Sequence, residues 1–333
     1  TRSPMVAITP PDNERVYVTV SPDSGDDLRA IEPARIIDAF RQHGAILFRG
    51  FGFESDSLNA FTHQFCSRFV INASSQRGLV SSDGSIQTVN LGNSPFPLHP
   101  ELSRVPWRPD IAWFACVEPP LMAGETLLCD GIAIAEQLPA PVLEAVAERD
   151  LLYKENTAPE LFTEWLGLPS PDEAMLARLS ERSPFRFAWE DGAIARSFVA
   201  PFLHQPLFSD RRAFANFILF ARLGLKNPYF PTYEDGSIIP DEVVDEIAAV
   251  SARLTLAHRW QRGDILMVDN SRFMHGRNQV LDPARRVIWT QFGYASFLEP
   301  DDRRHEEIWR HTDDPRAIFL GIPAPPAASA VRV

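Results

Sequence analysis

Apolar positions along the chain follow two periods, and they predict a β framework with helices attached. The run Gly263-Asp264-Ile265-Leu266-Met267-Val268-Asp269-Asn270 reads as a turn, a buried strand and a second turn. A second β-rich run covers Val287-Ile288-Trp289-Thr290-Gln291-Phe292-Gly293. Behind Pro240, the residues Val243, Ile247, Val250 and Leu254 recur at helical spacing, an amphipathic stripe best read as core. Residues 131–183 are rich in alanine, leucine, glutamate and proline, with helical stretches near Pro141–Arg149 and Asp172–Arg182, and are expected to be helices inserted beside a binding site as a lid.

The chemistry-bearing pattern sits on this framework. In Leu98-His99-Pro100-Glu101 an extended chain sends His99 and Glu101 to one face, with Pro100 on the other. Two imidazoles and a carboxylate on one side of an iron leave the remaining positions open to a co-substrate and dioxygen, and His275, far downstream behind the 263–270 run, completes that set. Bringing such distant segments together requires a closed long-range β architecture, which a jelly roll provides. Alone, the triplet is weak evidence, because the chain has 8 histidines and 44 acidic residues and such spacings arise by chance. The neighbours add weight. Arg286 enters the strand after His275 and has the forked donors that suit a carboxylate, while Thr126 of Gly124-Glu125-Thr126 offers a hydroxyl at a strand start. A surface salt bridge for the arginine and simple β-propensity for the threonine are the bland readings of each alone.

Taken in order, Leu98-His99-Pro100-Glu101, Pro109-Asp110-Ile111-Ala112-Trp113-Phe114, Pro119-Pro120 through Gly124-Glu125-Thr126, Gly263-Asp264-Ile265, Val268-Asp269-Asn270, His275-Gly276-Arg277 and Arg285-Arg286 resemble the taurine/2-oxoglutarate dioxygenase superfamily. Glutamate in place of aspartate is most similar to its clavaminate synthase-like and SyrP-like branches. The amino-terminal stretch is similar too, which implies a helix at about Ala34–His43, a strand over Gly44–Phe51 and a helix near Asp56–Phe69. The resemblance implies a mainly β double-stranded β-helix, or jelly roll; length and composition add the expectation of a single elaborated domain over residues 1–321, with a helical lid insertion at about 131–255 and a flexible Pro/Ala-rich tail at 322–333. It implies iron(II) held by His99, Glu101 and His275, with 2-oxoglutarate as co-substrate bound through Arg286 and Thr126, and dioxygen as oxidant.

Hydroxylation of an unactivated C–H bond is the expected outcome, since halogenating relatives replace the metal carboxylate with a small residue. Desaturation or oxidative cyclisation are the alternatives at the same iron site. The expected substrate is an amino acid or related small metabolite, free or on a carrier protein, in specialised metabolism. Thr290, a candidate substrate contact, stands where some relatives carry a second arginine for an anionic substrate group, and the missing arginine speaks against a taurine-like sulfonate. Arg277 is the nearest other cation, either for substrate or for a supporting salt bridge. Asn90 and Asn93, just before the metal segment, are candidates for amide contacts to substrate, although loops favour asparagine for turn reasons as well. Trp107, Trp113, Phe114 and the segment Phe214-Ala215-Asn216 either wall the pocket or fill the core.

Composition narrows the partners. A net charge of −12 argues against nucleic acid and anionic membrane surfaces. With only Lys154 and Lys226 as lysines, Schiff-base chemistry is disfavoured. Cys66, Cys116 and Cys129 are scattered without metal-ligand spacing, and no membrane-length apolar run or leader pattern stands out, so a cytoplasmic enzyme is expected. The competing class is a jelly-roll metal enzyme that does not oxidise 2-oxoglutarate; a degenerate binding protein is disfavoured by the intact triad.

Overall fold

The computed structural model describes residues 6–12, 15–23, 28–167 and 170–320; the tail expected at 322–333 lies outside them. An eight-stranded sheet runs in the order Val6–Thr9, Val18–Pro22, Ala45–Phe48, Ile265–Asp269, Ile111–Glu118, Val287–Ala295, Cys66–Val70, with Gln87–Thr88 also paired to Val287–Ala295. All its pairs are antiparallel except Val18–Pro22 with Ala45–Phe48. A four-stranded antiparallel sheet, ordered Leu256–His258, Thr126–Asp130, Phe273–Arg277, Phe96–His99, packs on one face of it. Together the two sheets form the jelly roll.

Strand alternation explains the layering. In Ile111–Glu118, Ile111, Trp113 and Ala115 join one core with Ile36, Phe40, Leu58 and Phe61 of the helices Pro33–His43 and Ser55–Thr62. Ala112, Phe114 and Cys116 point the other way and meet Leu128 and Phe273 of the smaller sheet. That sheet's outer face, through Leu98, Cys129 and Met274, packs on Ile134, Val142, Val243, Ile247 and Val250 of the helices Gly131–Gln137, Ala140–Val146 and Asp241–Leu254. Because Leu98 and Met274 face outward, their successors His99 and His275 face into the sandwich.

Three expectations are corrected. The second amino-terminal helix ends at Thr62, and Cys66–Val70 is a strand, because its ladder to Val287–Ala295 closes the large sheet's edge. The insertion is not all helical. Besides its helices it holds a four-stranded antiparallel sheet, Arg186–Glu190, Ala193–Pro201, Asp150–Thr157 and Thr232–Tyr233, with its own aromatic core of Phe162, Phe185 and Phe187. Finally, the Phe96–His99 strand stops before Glu101, which sits in the following turn and not on the extended segment expected to carry both ligands, while His275 lies within the Phe273–Arg277 strand. Among the described residues no helix is long and apolar enough to cross a membrane.

Candidate metal centre

His99 and His275 are direct partners across adjacent antiparallel strands, which sets their ring centroids 4.6 Å apart. Glu101 joins them from the turn, its Oε2 3.7 Å from His275 Nε2. All three are buried, and one ligand atom from each lies within 4.8 Å of the others. The turn is fixed by the side chain of Asn270: its Oδ1 accepts from Glu101 N at 2.7 Å, and its Nδ2 donates to the carbonyls of Glu101 at 2.9 Å and Pro109 at 2.8 Å. Arg108 in turn donates to the carbonyls of Asn270 and Ala215. A clamp from the end of the Ile265–Asp269 strand therefore does what strand geometry was expected to do for Glu101.

The donor set suits a divalent metal. His99 Nδ1 lies 2.8 Å from the Pro97 carbonyl, an acceptor, so Nδ1 carries the proton and Nε2 presents its lone pair. Burial, reinforced by the neighbouring His275, pushes the His99 imidazole down to about 3, and it is neutral at physiological pH. Burial works to raise Glu101, but the Arg77 guanidinium and the two imidazoles outweigh it and hold the carboxyl at about 2. Arg77 donates to Oε2 at 3.2 Å, and Asn72 Nδ2 donates to Oε1. Two imidazoles and a carboxylate around one buried point match the two-histidine, one-carboxylate arrangement that leaves other positions open for reactants.

A cavity of about 430 Å³, counted out to its mouth, adjoins the triad and is walled by Phe96, Phe114, Thr126, Asn90, Arg77, Arg277 and Arg286 among others. Arg286 and Thr126 come together as expected: Arg286 Nε donates to the Gly124 carbonyl at 2.9 Å, and its NH2 lies 3.5 Å from Thr126 Oγ1. Burial, with the nearby Arg277 charge, lowers the Arg286 guanidinium to about 10, which leaves it cationic at neutral pH. Trp260 Nε1 donates to Thr126 Oγ1 at 3.0 Å, leaving the threonine proton to donate elsewhere. Gly124 has φ +74, and an added Cβ there would stand 3.2 Å from Arg286 Cδ, so glycine is what lets the arginine lie alongside.

The remaining candidates divide. Asn90 lines the cavity, and its backbone carbonyl accepts from Arg277 NH1 at 2.9 Å, while Arg277 NH2 holds the Ser94 carbonyl at 2.8 Å. Asn93 is exposed and takes part through its carbonyl, which pairs with Val280 N. Thr290 is buried and gives its hydroxyl to the Trp113 carbonyl at 2.9 Å; it does not reach the cavity wall. Phe114 touches the His275 ring, 4.9 Å between centroids, whereas Trp107, Trp113 and Phe214-Ala215-Asn216 are packing residues. Sequence reasoning missed Asn72, Arg77, Trp260 and Phe220. The last comes from the insertion's π-helical turn, Phe220–Gly224, and its ring is tilted against that of His99 with centroids 4.9 Å apart. Loop and turn residues of this kind carry no periodic signal.

Residues 7–291 match the family model described as taurine catabolism dioxygenase TauD, TfdA family. A clavaminate synthase-like protein of Arabidopsis thaliana is 23% identical over 267 residues, covering 74% of this chain and 81% of its own length. The dapdiamide synthesis protein DdaC of Enterobacter agglomerans is 46% identical over 50 residues, 15% of each chain. Among solved structures, PvcB, an Fe, alpha-ketoglutarate dependent oxygenase from an isonitrile synthetic pathway, superposes with TM-score 0.57 at 16% identity over 86% of this chain and 91% of its own; a second PvcB structure, from Pseudomonas aeruginosa, gives 0.55. At such identities the structural likenesses speak to the jelly-roll fold.

Proposed function

We propose that this chain, which belongs to the taurine catabolism dioxygenase TauD, TfdA family, hydroxylates an unactivated C–H bond of an amino acid or related small metabolite, free or carrier-bound, in specialised metabolism. It is an iron(II)- and 2-oxoglutarate-dependent dioxygenase. The observation that carries the reading is the buried convergence of His99, Glu101 and His275 beside a cavity that Arg286 and Thr126 also line.

When bound, iron(II), 2-oxoglutarate and dioxygen supply the oxidising power, with the keto acid decarboxylated to succinate as one oxygen atom enters the substrate. The chain's own residues set the conditions. His99, Glu101 and His275 would hold the metal. Arg286, tethered through Nε to the Gly124 carbonyl, would offer its remaining N–H donors to the distal carboxylate of 2-oxoglutarate, and the Thr126 hydroxyl would donate to the same group. Phe96, Phe114 and Phe220 wall the metal side and limit water. Glu101 is pinned by Asn72, Arg77 and Asn270, so the carboxylate that favours hydroxylation over halogenation stays in place.

The hydroxyl of Thr290, spent on Trp113, supports the exclusion of a taurine-like sulfonate at that position. The dapdiamide and isonitrile relationships named for DdaC and PvcB support a role in specialised metabolism. Three free, buried cysteines suit a reducing, cytoplasmic setting. The test is substrate-triggered succinate formation that requires iron and 2-oxoglutarate together. Metal-dependent turnover without succinate is the result that would install a non-oxidative metal enzyme instead.

A further inference from the structure

The Thr126 hydroxyl meets only donors on its protein side. A hydroxyl has one proton to give and lone pairs to offer, so in isolation it suits an acceptor or a donor equally well. Both groups that approach its oxygen here are donor-only: Trp260 Nε1 at 3.0 Å and Arg286 NH2 at 3.5 Å. Neither can take the threonine proton, and no acceptor for it is found among the described residues, so it is left for the cavity that Thr126 lines. Arg286 lines that cavity as well, whereas Trp260 stands behind Thr126, outside the lining. Residues from both sheets hold the indole there. Trp260 is 6% exposed and lies two positions beyond His258, the direct ladder partner of Thr126, and the two rings meet edge to face with centroids 4.4 Å apart. His258 Nδ1 is 2.9 Å from the Tyr17 hydroxyl, and its Nε2 is 3.3 Å from Asp264 Oδ2. Arg49 grips Asp264 through Nε at 2.8 Å and NH2 at 2.7 Å.

We infer that Trp260 is a positioning residue for the co-substrate: its indole N–H occupies the Thr126 oxygen and so fixes that hydroxyl as a donor toward the cavity, selecting a keto acid that ends in a carboxylate. This rests on the dioxygenase reading and deepens it. An ionised carboxylate only accepts, so it suits a hydroxyl whose proton has no other taker. A methyl end offers that proton nothing. Trp260 touches neither metal nor keto acid and acts through Thr126 alone. Without its N–H the threonine oxygen is free to accept from water, and the hydroxyl can turn away from the ligand. The Tyr17, His258, Asp264 and Arg49 cluster gives the indole a fixed face to pack on, which keeps its N–H aimed at one atom.

The experiment titrates the iron-loaded full chain, kept free of oxygen, with 2-oxoglutarate and with 2-oxovalerate, the keto acid of equal chain length that ends in a methyl group. The visible band of the chelated keto acid is the readout. W260F should raise half-saturating 2-oxoglutarate about fivefold, as loss of one neutral hydrogen bond predicts, and leave 2-oxovalerate unchanged. Trp260→3-benzothienylalanine keeps the fused rings and removes only the N–H, so it repeats the measurement if W260F folds poorly. In a T126V background either change should add less than about twofold, because the interaction it removes is already gone. An unchanged 2-oxoglutarate requirement overturns the inference. So does an equal shift for both keto acids, or the full effect on top of T126V, since Trp260 would then serve packing alone. Should 2-oxovalerate bind too weakly to titrate, the T126V comparison decides by itself. Absence of the band in the parent protein is a separate failure, that of the dioxygenase reading itself.

Discussion

Replacing Arg286 with alanine tests the co-substrate pocket at its most exposed point of reasoning. The guanidinium is largely buried, fixed by its Nε to the Gly124 carbonyl at 2.9 Å, and stands beside Thr126 Oγ1, so its free edge is preorganised for one carboxylate. Removing one partner of a buried charged pair typically costs about 3–5 kcal/mol. The cavity opens to solvent, so the lower end applies, and at about 1.4 kcal/mol per tenfold this predicts roughly a hundredfold rise in half-saturating 2-oxoglutarate. R286K keeps the charge but loses the Nε tether and the fork, and should fall between. T126V deletes one hydroxyl donor to a charged group, about 1.5–3 kcal/mol, and strands Trp260 Nε1, so it should weaken binding less than R286A while also lowering the melting temperature. G124A, whose Cβ would press on Arg286 Cδ, should raise the requirement without touching any donor. Anaerobic titration of 2-oxoglutarate into the iron-loaded protein reads each value. An R286A protein that folds, binds iron and saturates at the parental concentration would refute the assignment.

N270A removes three hydrogen bonds that fix the Glu101 turn, at about 1 kcal/mol each, and should lower both unfolding free energy and iron affinity; an iron titration matching the parent would sink the clamp argument. G276A places a Cβ 2.7 Å from the Phe96 carbonyl oxygen, so the strands bearing His275 and His99 must part, and melts with and without iron should show reduced metal stabilisation. Acid sensitivity follows from burial. His99 and His204 are each pushed down to about 3, so below the unfolded value of 6.5 the unfolded chain binds more protons and stability falls with pH, by about 1.4 kcal/mol per unit per histidine. Burial raises Asp269 to about 6, which has the opposite sign between 6 and 3.8 and offsets roughly one histidine there. Urea midpoints of the metal-free protein should therefore drop from pH 7.5 to 5, and D269N should steepen the fall below pH 6; a flat or rising profile contradicts the burial argument.

Much of the site was legible because its parts ride on strongly patterned strands. His275 and Arg286 sit on or next to apolar runs that became Phe273–Arg277 and Val287–Ala295, and the pairing of His275 with His99 realises the long-range closure that their separation demanded. Glu101 was placed on the correct face for the wrong reason: a side-chain clamp from Asn270, not strand alternation, aims it. Arg77 and Asn72 come from a loop segment, and Phe220 from a π-helical turn, where side-chain direction depends on contacts remote in sequence and no period announces it. Thr290 shows the converse. Its position in a motif suggested a substrate contact, yet strand pairing between Val287–Ala295 and Ile111–Glu118 sets its hydroxyl against Trp113. The insertion's sheet was hidden because short strands such as Thr232–Tyr233 hold only a few alternating residues and gain their order from pairing.

On the proposed reading, His99, Glu101 and His275 hold one iron(II) that a keto acid can chelate. Metal-free protein mixed anaerobically with iron(II) and 2-oxoglutarate should develop the weak visible charge-transfer band of that chelate, and H99A, folded by circular dichroism, should not. A folded parent protein that binds iron yet shows no band with 2-oxoglutarate would contradict the account.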